Sequence, residues 1–90
     1  MTPIVKRYFK KLKDEKLLKE YETRIKNILI EPYDGELKVG NLNGVYCIAF
    51  RYSRTKYEIA YRIYEGNNPI VTIIIANKRE NFYEQLRRYL

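Results

Sequence analysis

The first third of the chain repeats its apolar residues at the spacing of amphipathic helices. Thr2 followed by Pro3 predicts an N-cap and a first-turn proline. The apolar positions that follow at helical spacing are Ile4, Val5, Tyr8, Phe9 and Leu12. The same periodicity predicts a second helix from Asp14 to Ile30, and Pro32 prevents its continuation. These two short helices with adjacent ends predict a helical hairpin with one apolar side.

The middle of the chain changes to the alternation that is typical of half-buried strands. Residues 31–44, EPYDGELKVGNLNG, are predicted to be a loop because proline and glycine interrupt them, Gly40 among them. VYCIAFRYS and KYEIAYRIYE then alternate apolar and mixed positions, which predicts two antiparallel strands. GNNP is predicted to be a turn. Residues 70–75, IVTIII, are apolar throughout, as expected of a central strand that is covered on both faces.

The last segment, NKRENFYEQLRRYL, predicts a closing helix. Asn77 and Glu80 have the spacing of a capping box. The residues that share one helical face and should dock on the core are Phe82, Leu86 and Tyr89 or Leu90. Tyr83 and Arg87 fall on a neighbouring face, and Arg79 stands at the start of the helix. Spacing alone leaves two interpretations of Tyr83 open: it covers the core edge, or it faces a ligand together with Arg79.

Length and composition place limits on the protein. Ninety residues predict a single α+β domain over residues 1–90: two N-terminal helices packed on a small antiparallel sheet of three or four strands, closed by a short C-terminal helix. No apolar stretch is long enough to span a bilayer, and the apolar part of MTPIVKRYFKK is too short for a signal peptide. One cysteine, Cys47, excludes an internal disulfide. We therefore expect a cytoplasmic protein without membrane partners.

The charge of the chain favours acidic partners. Eighteen Lys and Arg against eleven Asp and Glu give a net charge of +7, which attracts polyanions. The polar face of the first helix, rich in Lys and Arg, is either a solvated surface or a phosphate-binding stripe. Histidine is absent, so acid–base chemistry would depend on carboxylates, Lys, Tyr or the thiol. With one Cys and no His, we expect no structural zinc site, and we predict no metal or cofactor.

Three segments, LKVGNLNGVYCIAFRYS, KYEIAYRIYE and NKRENFYEQLRRYL, resemble the RelE/ParE superfamily of toxins from bacterial toxin–antitoxin systems. The resemblance covers nearly the whole chain and implies a small α/β fold like that of microbial ribonucleases. Its RelE-like branch implies ribosome-dependent cleavage of mRNA. In that reaction the 2′-hydroxyl attacks the adjacent phosphate and the downstream 5′-oxygen leaves.

The resemblance also implies candidate site residues. Arg79 matches an arginine that would stabilise charge on the scissile phosphate, and Tyr83 matches a tyrosine that would stack on or orient the nucleotide. Glu36 lies where the YoeB-like branch has a general-base glutamate. The further candidates for binding RNA phosphates are Arg51, Arg62, Lys78 and Arg87.

The chain departs from the superfamily at three positions. RelE proper has lysines at the positions of Cys47 and Ala49, and the superfamily's arginine is replaced by Glu58. Three interpretations follow: other cations compensate, Glu58 is itself the base, or the toxin is weak or differently aimed. The cations that would compensate are Arg51, Arg62 and Lys78. The superfamily's first strand has little room before Ile4, so it is lost or is formed by residues 4–6.

These observations give two functional hypotheses of different classes. The favoured one is an mRNA interferase that acts at the ribosome and inhibits translation. The alternative is a non-nuclease toxin like the ParE branch, which inhibits DNA gyrase, or a degenerate toxin that only binds antitoxin. The predicted partners are a cognate acidic antitoxin, the ribosome and mRNA, with DNA reached only through a toxin–antitoxin complex.

Overall fold

The fold is α+β, as the sequence predicts. The computed structural model describes residues 1–38 and 44–90; Gly40 and the GNL part of the family-like segment lie outside them. The helices of the described residues are α1 (Pro3–Lys11), α2 (Glu15–Ile30), a 3-10 turn (Pro32–Asp34) and α3 (Arg79–Tyr89). The strands are β1 (Glu36–Leu37), β2 (Tyr46–Tyr52), β3 (Thr55–Tyr64) and β4 (Ile70–Lys78). Within this described part, no helix has the length and apolar character needed to cross a membrane.

Side-chain caps explain where the first two helices begin. The hydroxyl of Thr2 accepts a hydrogen bond from the Val5 backbone N–H at 3.3 Å, and Pro3 occupies the first turn. The carboxylate of Asp14 accepts from the backbone N–H of Leu17 at 3.1 Å. Both caps satisfy donors that a helix leaves unpaired at its start. The two N-terminal helices that the sequence predicts are therefore confirmed.

The sheet is antiparallel, with the strand order β1-β2-β3-β4. The prediction that residues 70–75 form a central strand is wrong, because β4 lies at the edge. No strand precedes α1 in the described residues; instead Thr2 donates from its backbone N–H to Ile73 O and from its hydroxyl to Ile74 O, each at 3.0 Å. The first strand that the resemblance implies is therefore not found in the described residues, and residues 4–6 belong to α1.

Both faces of the sheet are covered, which explains why four consecutive residues of β4, Ile73 to Ala76, are apolar and buried. The cluster beneath α1 and α2 includes Val5, Leu17, Tyr21, Ile28, Phe50, Tyr57, Ile59, Tyr61, Ile73 and Ala76. The cluster beneath α3 consists of Val45, Cys47, Ala60, Ile74, Ile75, Phe82 and Leu86. A register shift opposite Ala60 and Tyr61 lets the consecutive residues Ile74 and Ile75 join the same cluster.

A short strand, β1, interrupts the segment that the sequence predicts as loop. Glu36 lies opposite Cys47, and Leu37 lies opposite Tyr46. Gly35 makes this pairing possible, because a Cβ at that position would collide with the hydroxyl of Tyr61. The sequence predicts a loop here because proline and glycines interrupt the segment, and a strand of two residues is too short to show an alternating pattern.

The start and the end of α3 differ from the prediction. Asn77 belongs to β4, opposite Glu58, so it does not cap the helix; Lys78 occupies the N-cap position without a side-chain hydrogen bond. Phe82 and Leu86 are fully buried. Tyr89 and Leu90 are both more than 40% exposed, so neither completes the docking face. The helix therefore rests on two apolar side chains.

We predict that Phe82→Ala lowers the free energy of unfolding by about 3–5 kcal/mol, because it opens a cavity under α3. Urea denaturation followed by circular dichroism measures the change. Arg88→Ala on the same helix is the control, since Arg88 is exposed and pairs only with Glu84 one turn earlier; it should change stability by less than about 0.5 kcal/mol. Equal losses in the two variants would contradict the packing shown for α3.

Candidate functional site

A buried carboxylate joins the two residues that the sequence places at the start of α3. Glu58, in the middle of β3, is only 4% exposed. Its Oε1 accepts a hydrogen bond from the Tyr83 hydroxyl at 3.0 Å, and its Oε2 lies 3.8 Å from Nε of Arg79. Arg79 and Tyr83 therefore meet at one carboxylate, and we call these three residues the Glu58 network. A fully satisfied carboxylate at this depth would accept more hydrogen bonds.

The Oε2 atom of Glu58 is the incompletely satisfied part of the network. It is buried and accepts no hydrogen bond from any residue in the described ranges. Its contact with Arg79 is an ion pair whose 3.8 Å separation is longer than a hydrogen bond. Arg79 itself remains 55% exposed, so its guanidinium is held from behind while much of the side chain faces solvent. The arrangement orients a cation at the protein surface.

Tyr83 stays protonated over the physiological range. Burial raises its pKa, the hydrogen bond to Glu58 raises it further, and the nearby positive charge of Lys38 opposes both. The ring packs edge-on against Phe82, with 4.9 Å between the ring centroids. Tyr83 thus packs at the edge of the core through its ring and joins the Glu58 network through its hydroxyl, while its role in facing a ligand with Arg79 stays a prediction.

Lys38 is a member of the site that the sequence analysis missed. Its Nζ lies 5.6 Å from the centre of the Tyr83 ring and 3.2 Å from Oε1 of Glu36. Burial acts to lower the pKa of Lys38, but its interactions with Tyr83 and Glu36 outweigh burial and raise it. Lys38 also lies close enough to Cys47 to act on the thiol. A cation from the neighbouring segment thus stands near Cys47.

Glu36 and Arg51 lie on the same face of the sheet as Glu58. Glu36 is opposite Cys47, and its side chain is 74% exposed. Arg51 is exposed at the far end of β2, opposite Lys56. Between them, the small Ala49 is exposed and lies opposite Glu58. The surface of the sheet next to the Glu58 network is therefore open to solvent.

The remaining candidates do not join the network. Arg62 is four residues from Glu58 on β3, roughly 13 Å along the strand. Its Nε is buried and donates to no group in the part of the chain that the structure describes. Lys78 is exposed beside Arg79, and Arg87 is exposed one turn after Tyr83. These three residues share a positive charge, but the structure places them away from the Glu58 carboxylate.

The single thiol is not a nucleophile at neutral pH. Cys47 is buried beneath α3, and burial raises its pKa to about 12, with a smaller opposing effect from Lys38. The described residues also contain no group of three or more His, Cys, Asp or Glu side chains placed to hold a metal ion. The other ionisable side chains described at this face are those of Arg, Lys, Glu and Tyr residues.

A separate groove lies between α1 and α2. It has a volume of about 980 Å³, and apolar side chains such as Phe9, Leu18 and Ile25 line it. The charged residues beside them are Lys6, Arg7, Lys10, Glu22 and Lys26. The basic face that the sequence predicts for α1 thus borders an apolar surface.

Comparison with known proteins identifies the family. A family model described as the ParE-like toxin of type II bacterial toxin–antitoxin systems matches residues 1–87, nearly the whole chain. No curated protein and no solved structure shows significant similarity to the chain. The matched residues include all three members of the Glu58 network. The chain therefore belongs to the ParE-like toxins of type II toxin–antitoxin systems.

Proposed function

We propose that this toxin stops translation by cleaving mRNA at the ribosome. The observation that carries the proposal is the Glu58 network: it holds Arg79 from behind and leaves the guanidinium facing solvent beside Tyr83. A preoriented arginine stabilises the charge that develops on a phosphate without reorganising during the reaction. Arginine suits this task because it offers two parallel hydrogen bonds to phosphate oxygens.

Two carboxylates are candidates for removing the proton of the attacking 2′-hydroxyl. Glu36 is open to solvent and lies beside Lys38. Glu58 is buried, but its Oε2 retains the capacity to accept a hydrogen bond. The leaving 5′-oxygen needs a proton, and Tyr83 and Lys38 are protonated groups on the same face. In this proposal Arg79 binds the phosphate, and Glu58 positions Arg79 and Tyr83.

Inhibition of DNA gyrase is the second candidate, because a specific observation favours it. Cys47 is buried and uncharged, Ala49 has no functional group, and Glu58 is acidic where the superfamily has an arginine. Two of the positive charges in the Glu58 region, Arg79 and Lys38, are each paired with a carboxylate. A toxin that only binds its target does not need unpaired cations at this face. The two candidate functions differ in whether translation or DNA synthesis stops first.

The proposal includes an antitoxin that blocks the toxin by binding to it. Family membership implies an antitoxin partner, and a net charge of +7 favours one that is acidic at the contact. We propose that it covers the Arg79 and Tyr83 face or displaces α3, which rests on two buried side chains. Either mode would remove the Glu58 network from its target.

We predict that expression without antitoxin arrests translation before DNA synthesis. Incorporation of labelled methionine and labelled thymidine after induction measures the two processes, and mapping of mRNA ends on ribosomes detects cleavage. An early loss of thymidine incorporation while methionine incorporation continues would exclude the interferase and favour gyrase inhibition.

We predict that Arg79→Lys slows cleavage of ribosome-bound mRNA about a hundredfold or more, while the unfolding free energy changes little. Lysine keeps a positive charge beside the buried Glu58 but loses the paired hydrogen bonds to phosphate. The matched control is Arg88→Lys, an exposed position on the same helix, which should cleave at the normal rate.

The substitutions Tyr83→Phe and Tyr83→Ala divide the roles of that residue. If stacking is its role, the phenylalanine variant is milder; if the hydroxyl takes part in proton transfer, both variants lose activity alike. If the Arg79→Lys variant and the Tyr83→Ala variant each cleave ribosome-bound mRNA at the normal rate, the Glu58 network has only a structural role.

We predict that the antitoxin protects Arg51, Arg79 and Tyr83 in the complex. Hydroxyl-radical footprinting of the free and bound toxin measures the exposure of each side chain. A footprint that leaves all three exposed and covers the α1–α2 groove instead would contradict occlusion of the Glu58 network.

A further inference from the structure

The β2–β3 hairpin and the start of α3 enclose a cavity beside the Glu58 network. Its volume is about 280 Å³, and it is open to solvent. The residues that line it are Arg54, Thr55, Lys56, Lys78, Arg79 and Glu80. Arg54, Thr55 and Lys56 come from the hairpin, and the other three come from the junction of β4 and α3. We call this space the hairpin cavity.

Positive charge is concentrated at the hairpin cavity. Four of its lining side chains are cationic, and one, Glu80, is acidic. Arg54, Lys56 and Lys78 form no ion pair with any carboxylate in residues 1–38 and 44–90. Arg51 lies directly opposite Lys56 on the neighbouring strand, and like charges in that arrangement oppose strand pairing. The fold thus holds several unpaired cations together at one end of the sheet.

The position of Arg54 is also unfavourable for an arginine. Ser53 and Arg54 form the two-residue turn of the hairpin with φ angles of 50° and 67°. Turns of this kind favour Asn and Gly, because a residue with a Cβ is strained at positive φ. The sequence therefore keeps a cation at the tip where glycine would stabilise the turn.

The start of α3 adds to the attraction for anions. Lys78 provides no side-chain cap, and the helix begins at Arg79, which lines the cavity. Backbone N–H groups at a helix start carry partial positive charge and bind phosphate readily. Hairpin cations and helix start thus face the same space from two sides.

We propose that the hairpin cavity binds a backbone phosphate of single-stranded RNA, next to the phosphate that Arg79 contacts. The proposal rests on the proposed function and names a substrate-binding site for it. Arg51 lies opposite Lys56 on the neighbouring strand, and Lys78 and Arg79 line the cavity from the β4–α3 side, so the cations extend across β2, β3 and β4 over about 10 Å. A nucleic acid backbone presents negative charges at regular intervals over such a length, which suits this group of cations better than a single carboxylate does.

The test uses a fluorescent hexauridylate with 2′-O-methyl groups, which lacks the attacking hydroxyl and cannot be cleaved. Fluorescence anisotropy measures its affinity for the wild type and for the double variant Arg54→Gly, Lys56→Gln. We expect the variant to bind about tenfold more weakly, and the slope of log affinity against log salt to fall by about 0.7 for each phosphate that the variant no longer neutralises. Glycine suits the positive φ of residue 54, so the variant should unfold at the same temperature as the wild type or a higher one.

The control is the double variant Lys13→Gln, Lys19→Gln, which removes the same charge from exposed positions outside the cavity. It should bind the oligonucleotide within twofold of the wild type. Unchanged binding by the hairpin variant, an equal loss in the control, or no measurable binding by the wild type would overturn the proposal.

An acidic hexapeptide of equal net charge forms the second arm of the test. If it binds more tightly than the oligonucleotide and the hairpin variant loses that binding, the cavity is a protein-docking surface and the proposal fails. The outcome is separable from that of the proposed function: loss of oligonucleotide binding in the variant would stand even if the toxin stopped DNA synthesis first. Conversely, if the toxin arrests translation but the hairpin variant binds the oligonucleotide normally, the cavity proposal fails and the proposed function stands.

Discussion

Burying the Glu58 carboxylate is the constraint on which the α3 face of the sheet depends. A charge at that depth is tolerated only when donors or cations come to it. Tyr83 and Arg79 do so, and they are one helical turn apart, so the start of α3 is fixed relative to β3 by polar contacts. Phe82 and Leu86 fix the same helix by apolar burial. The helix is held by both kinds of contact, and the orientation of Arg79 is a direct result.

The distribution of charge divides the surface into two kinds of region. In the Glu58 region, Arg79 faces Glu58 and Lys38 faces Glu36. The excess that gives the chain its net charge of +7 lies elsewhere, along α1 and at the hairpin end of the sheet. Composition alone indicates an acidic partner but does not indicate where on the surface that partner binds. The structure separates a region where charges are paired and oriented from regions where unpaired cations attract polyanions over distance.

The sequence predicted the elements whose signals are local. Thr2 and Asp14 cap helices through their own side chains, and the alternation in β2 and β3 follows from one face of each strand packing under α1 and α2. The sequence could predict that Arg79 and Tyr83 lie close together, because one helical turn separates them. Lys38 could not be predicted, because its position depends on the two-residue strand β1 and on where α3 docks. Asn77 was assigned to the helix because its spacing from Glu80 fits a cap, whereas pairing with Glu58 keeps it in β4.

The hydrogen bonds between Thr2 and β4 have a consequence for the order in which the chain folds. They join residues that are more than seventy positions apart, so their closure is entropically expensive and belongs to the late steps of folding. During synthesis, α1 and α2 leave the ribosome before β4 and α3, which α1 and the Glu58 network need. The nascent chain therefore lacks its edge contact and its oriented arginine until β4 and α3 have been synthesised.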